Sequence, residues 1–113
     1  MIKPEDLQVI EELSKVSNLT FKHEVLHYLY FQKKSGAAAA VKDLRKTGFE
    51  AEKNLSTDRS NWLILAKHQV VPTEEAIDSA VTRMEEVTEK YSGQYDGWEA
   101  GVVPKQPVRD KPN

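Results

Sequence analysis

The chain has 113 residues, 39% of them hydrophobic, enough for one compact domain with its own core and too few for a second. It contains no cysteine, which excludes disulfides, thiolate zinc sites and cysteine nucleophiles. A net charge of -2, with acids and bases interspersed, argues against a protein that clamps nucleic-acid phosphates over a broad surface.

The N-terminal region carries Lys3, Glu5, Asp6, Glu11, Glu12 and Lys15 and no apolar run, so no signal peptide is expected. No apolar stretch elsewhere reaches transmembrane length, and the expected location is the cytoplasm. Asn18-Leu19-Thr20 and Asn54-Leu55-Ser56 match the glycosylation pattern, but without an export signal they are chance matches.

Pro4, followed by Glu5 and Asp6, opens a helix whose stripe of Leu7, Ile10 and Leu13 runs to about Val16; residues 1–17 are expected to form a peripheral N-terminal helix. Phe21 to Phe31 is dense in aromatic and branched residues and reads as a strand. Val25, His27, Leu29 and Phe31 fall on its expected core side, with Leu26, Tyr28 and Tyr30 on the other. Ser35 is placed to cap a second helix, in which Ala37, Ala40, Val41 and Leu44 form the apolar face and Lys42, Arg45 and Lys46 gather near the negative end of the dipole. Gly48 stops it, with Phe49 folding back onto Leu44.

Phe49 to Lys53 is short and alternating, an edge strand, and a polar loop from Leu55 to Ser60 leads into Trp62 to Val71, a strand halted by Pro72. Thr73 is an N-cap, Glu74 and Glu75 complement the dipole, and Ile77, Ala80, Val81, Met84, Val87 and Tyr91 repeat at helical spacing. Ser92-Gly93 ends this helix. Tyr95-Asp96-Gly97-Trp98-Glu99 then opens an extended segment through Val103, with Asp-Gly forming a turn or bulge. The segment 104–113, with three prolines and almost nothing apolar, is expected to be disordered.

After the N-terminal helix the order is strand, helix, strand, strand, helix, strand. Two right-handed crossovers joined this way predict an α+β, ferredoxin-like βαββαβ sandwich over residues 18–103: a four-stranded antiparallel sheet with two helices on one face. The other face is left partly open, and it or the edge of the last strand is where a partner would meet the domain.

The sharpest motif is His23-Glu24-Val25-Leu26-His27, the H-E-x-x-H pattern of zinc hydrolases. Chelation requires both imidazoles within about 2.1 Å of one ion, which a helix allows by stacking positions four apart. In a strand the two lie roughly 13 Å apart at about 3.3 Å per residue, and the strand reading is the better supported. A third ligand would have to be His68 or a carboxylate, neither in a recognisable pattern. Metal and cofactor sites are therefore not expected.

An RNA-binding reading rests on Tyr28 and Tyr30 on a central strand, but the Trp62 strand lacks the basic, aromatic octamer of the RNA recognition motif. Glu85, Glu86 and Glu89 should face water, and His68 has no nucleophile or carboxylate at a diagnostic spacing, so no catalytic residues are assigned.

The strand bearing His27, the helix ending in Gly48-Phe49-Glu50, the Ile77-Asp78 helix and above all Tyr95-Asp96-Gly97-Trp98 together resemble the regulator of ribonuclease E activity, type B, family, over roughly Phe21 to Val103. The resemblance implies a ferredoxin-like domain that inhibits ribonuclease E by binding it and cuts nothing itself. Members that regulate the nuclease carry a strongly acidic C-terminal tail, whereas Lys105, Arg109 and Lys111 make this one slightly basic. The expected partner is thus a protein, ribonuclease E or an associated RNA-processing protein, and neither a membrane nor nucleic acid bound directly. Its expected contacts are Tyr95, Asp96, Gly97 and Trp98, with His27 as a neighbouring polar group, because the first and last strands of such a sheet are adjacent.

Overall fold

Branched and aromatic residues from His23 to Phe31 extend that segment into β1, whose alternation sends Val25, His27, Leu29 and Phe31 to a buried face and leaves Leu26, Tyr28 and Tyr30 half-buried on the other. The computed structural model describes residues 1–56 and 60–105. Around β1 stand α1 (Pro4–Ser14), α2 (Lys34–Lys46), β2 (Glu50–Leu55), β3 (Trp62–Val70), α3 (Glu74–Lys90) and β4 (Gly93–Ala100). The four strands form one sheet in the order β2-β3-β1-β4, every neighbouring pair antiparallel. The molecule is therefore α+β, with a four-stranded antiparallel sheet and three helices. No described helix is long and apolar enough to cross a membrane.

α2 and α3 lie on one face of this sheet. Their Ala37, Ala40, Leu44, Met84 and Val87 pack with Leu29, Phe31, Ile64 and Ala66 in one cluster. A second cluster joins Val25, Ile77 and Val81 to Ile10 of α1, so the helix expected to be peripheral supplies a core residue. Leu13 is buried as well. Burying the Val, Leu, Ile, Phe and Met side chains among these stabilises the fold by roughly 1.5–3 kcal/mol each, which fixes the docking of the helices more firmly than any single polar contact.

The helix ends follow local chemistry, with two departures from expectation. Thr73 caps α3, its Oγ1 accepting the Ala76 N–H at 3.1 Å. Ser35 does not cap α2: the N-cap is Lys33, which offers no side-chain bond, and Ser35 lies exposed in the first turn. Full burial of Ala37 sets the phase and start of this helix, and the packing outweighs the preference for a capping hydroxyl. At its other end Gly48 adopts φ 97° and the Phe49 N–H reaches the Leu44 carbonyl at 3.2 Å, as the sequence predicts. α3 is ended by Ser92, at φ 61°, and not by Gly93. Gly93 serves instead as a gap, because a Cβ there would overlap the ring of Phe31, its cross-strand partner.

Polar contacts tie the layers together. Asp43 of α2 accepts from Arg83 at 2.7 Å and from the Tyr91 hydroxyl at 3.0 Å, with Lys90 at 3.6 Å. These donors, Arg83 first, hold its carboxyl below the usual carboxylate range. Arg45 donates from Nε and Nη2 to the Ala51 carbonyl, covering part of the edge of β2. Asn18 closes a tight turn by accepting from the Thr20 N–H and hydroxyl, and its own N–H bonds the Val103 carbonyl. β4 ends at Ala100, short of the Val103 expected, and most of the 104–113 tail lies outside the described residues.

Candidate protein-binding surface

The Tyr95–Trp98 stretch departs from simple alternation. β4 pairs Tyr95 with Leu29 and Trp98 with His27, so Asp96 and Gly97 together stand opposite Tyr28. This bulge puts two aromatics, three residues apart, on the same helix-covered side; regular alternation at that spacing would send them to opposite faces. Gly97 takes φ 107°, a conformation few side chains adopt, and the exposed Asp96 is left at the crest.

Inside the bulge, three polar side chains form a chain. His27, fully buried, has Nδ1 2.9 Å from the Tyr95 hydroxyl and Nε2 3.2 Å from Nε2 of His68. Burial, then the neighbouring His68, pushes His27 down to about 3, while burial lowers His68. Burial, reinforced by the negative charges of Asp6 and Glu85, raises Tyr95. All three groups are therefore neutral near pH 7, and an imidazole that titrates so far below neutrality has no proton to give as a general acid there. The chain is a satisfied internal network.

Trp98 reaches in the other direction. Its indole N–H donates to Asp6 Oδ1 at 2.9 Å, latching β4 to α1, and its ring packs against the cluster around Val25 and Ile77. Of the residues expected to touch a partner, the structure thus turns Tyr95, Trp98 and His27 toward the helices, and Asp96 faces solvent. Asp6 and His68 complete the arrangement; sequence spacing gives no sign of either partnership.

The H-E-x-x-H residues lie extended along β1, which carries His23 and His27 apart rather than around one ion. His23 bonds the Phe21 carbonyl through Nδ1 at 2.8 Å, and its Nε2 is 2.6 Å from Ser17 Oγ. A carbonyl only accepts, so Nδ1 carries the proton and, in the neutral ring, Nε2 accepts from the serine. Both residues are buried, and the same serine oxygen accepts the Val103 N–H at 2.7 Å, so this pair anchors the end of the sheet instead of presenting a nucleophile. His27 and His68 offer two adjacent nitrogens, but among the described residues no group of three or more potential ligands could hold a metal ion.

The uncovered sheet face is of another character. Leu26, Tyr28 and Tyr30 of β1 stand beside Leu65 and Leu63 of β3, all half-buried with no helix over them. Glu50 and Glu52 of β2 border this strip on one side, and Asp96 and Glu99 of β4 on the other. A groove of about 630 Å³ opens along the β2 side, lined by Leu26, Leu65, Lys67, Glu50 and Glu52 among others. An apolar strip with a polar border is the composition of a protein-contact surface.

Comparison with curated proteins returns no match. The family described as regulator of ribonuclease activity B matches residues 3–100, from the start of α1 to the end of β4. The chain, with its latched α1 and inward-turned Tyr95 and Trp98, belongs to the regulator of ribonuclease activity B family.

Proposed function

We propose that this protein is a non-enzymatic, cytoplasmic regulator that binds and inhibits ribonuclease E or a related RNA-processing partner, and so modulates RNA turnover. The family match across residues 3–100 carries this reading. The chemistry of the interior supports it: the histidines are buried, bonded or held neutral, and none is poised beside an accessible nucleophile. We read the β2-β3-β1-β4 order with α2 and α3 on one side as ferredoxin-like, spanning residues 18–103, with the 1–17 helix as an addition latched to it.

Contact with the partner is made through β4 and the adjacent open face. Asp96 contributes directly, Gly97 shapes the crest on which it sits, and Tyr95, Trp98 and His27 hold that crest from within. The test is a cleavage assay with purified ribonuclease E and a fluorogenic RNA, with and without the full chain. Slower cleavage and direct binding, both weakened by Asp96→Lys with an unchanged circular dichroism spectrum, are expected. Unaltered cleavage together with no binding would remove ribonuclease E as the partner.

A further inference from the structure

The open face also has a charge. Glu24, Glu50, Glu52, Asp96 and Glu99 surround the Leu26, Tyr28, Tyr30, Leu63 and Leu65 strip; among the described residues of the strands Lys67 is the cation placed on that face, by its pairing with Leu26, and Arg45, which reaches the groove from α2, is taken up by the Ala51 carbonyl at the β2 edge. Lys67 is shared between Glu24 at 3.7 Å and Glu50 at 3.8 Å. Glu52, Asp96 and Glu99 have no paired cation among the described residues, and burial, then the Glu99 carboxylate within reach of the Tyr28 hydroxyl, raises the pKa of Tyr28. Acids thus stand on both long sides of an apolar strip, and the phenol faces of Tyr28 and Tyr30 lie between them.

We propose that this face is the seat of a basic segment of the regulated ribonuclease, one in which lysine or arginine side chains alternate with aliphatic ones. The inference rests on the reading that a ribonuclease is the partner and names the chemistry by which it is held. Aliphatic side chains of such a segment cover Leu26, Leu63 and Leu65, while its cations pair with Glu52, Asp96 and Glu99 or lie over Tyr28 and Tyr30. Two other occupants fit less well. Nucleic acid would bring phosphates against an acidic border. A second copy, docked by the same face about a two-fold axis, would set acid against acid.

Two measurements separate this inference from the reading beneath it. In the first, isotope-labelled full chain is titrated with two short synthetic peptides of equal leucine content, one alternating leucine with arginine and the other with glutamate. The arginine peptide is expected to shift amides of β1 and β3 around Leu26, Tyr28 and Leu65, with affinity falling as salt rises, and the glutamate peptide is not. Equal response to both, response to neither, or shifts confined to the helices would overturn the proposal. So would saturable binding of a uridine oligonucleotide at these amides, or a dimer in sedimentation that Leu65→Asp dissociates.

In the second, purified ribonuclease E is bound by the wild type and by Glu52→Lys and Glu99→Lys, exposed substitutions that leave the core alone. Each reversal is expected to weaken binding by about tenfold. Unchanged affinity in both would refute the proposal, whereas failure of the wild type to bind, with the peptide result intact, would refute only the identity of the nuclease.

Discussion

His27 makes the acid sensitivity of this fold calculable. In the unfolded chain its imidazole takes up a proton below an ordinary value of 6.5; in the folded chain burial and His68 keep it neutral down to about 3. Unfolding therefore binds a proton throughout that window, and stability falls as pH falls, at about 1.4 kcal/mol per pH unit. From about pH 7 to pH 5 this amounts to about 2 kcal/mol, a value insensitive to the folded-state figure so long as it lies well below 5. His68, lowered in the same direction, steepens the slope. Urea unfolding followed by circular dichroism across that range measures it, with an NMR titration of the imidazole protons to assign it. His27→Gln, which retains a donor and an acceptor, should be less stable at neutral pH and flatter with pH. A wild type equally stable at both ends of the range, or a His27 ring that titrates near its ordinary value in the folded protein, would refute the reasoning.

Three further outcomes follow from the same geometry. Trp98→Phe keeps a large ring but leaves the buried Asp6 carboxylate without its indole donor, and should cost about 1–3 kcal/mol with hydrogen exchange rising first in α1. Gly93→Ala should cost about 1–3 kcal/mol because its Cβ meets the immobile ring of Phe31, and Phe31→Leu should relieve part of that loss; Gly97→Ala, strained only by its φ of 107°, should cost about 1–2 kcal/mol and gain nothing from the same change. Asp43→Asn should lower neutral-pH stability by about 1 kcal/mol, discounted for partial exposure. Because the carboxyl of Asp43 is depressed below 3.8, its contribution is present above that value and disappears as pH falls through the folded one, so the variant's acid limb should be shallower in calorimetric melts.

The elements were legible wherever one periodicity dominated. β1 announces itself through the alternation of Val25, His27, Leu29 and Phe31, α3 through Ile77 to Val87, and the bulge through Asp96-Gly97. Where two faces are both apolar, the pattern is silent: Trp62-Leu63-Ile64-Leu65-Ala66 is a continuous run, and nothing in it distinguishes the buried Ile64 and Ala66 from the uncovered Leu63 and Leu65. Partnerships set by tertiary register were equally hidden. His27 and His68 are 41 residues apart and meet only through the pairing of β1 with β3, and Asp6, which reads as a helix-dipole residue, finds Trp98 92 residues away. Trp98 is thus both a strand residue and a fastener for α1, a double role that its local sequence does not express.

Asp96-Gly97 holds one link more than the ribbon needs. Removing one of the two would restore plain alternation and leave both flanking rings pointing inward, opposite the same neighbours as before. Interior packing therefore has no need of the additional residue; what it alters is contour, a local bend that lifts a carboxylate off the ribbon. A single-residue deletion there is expected to yield a soundly folded protein with a blunted outline, separating, in one molecule, what holds the chain together from what it shows to others.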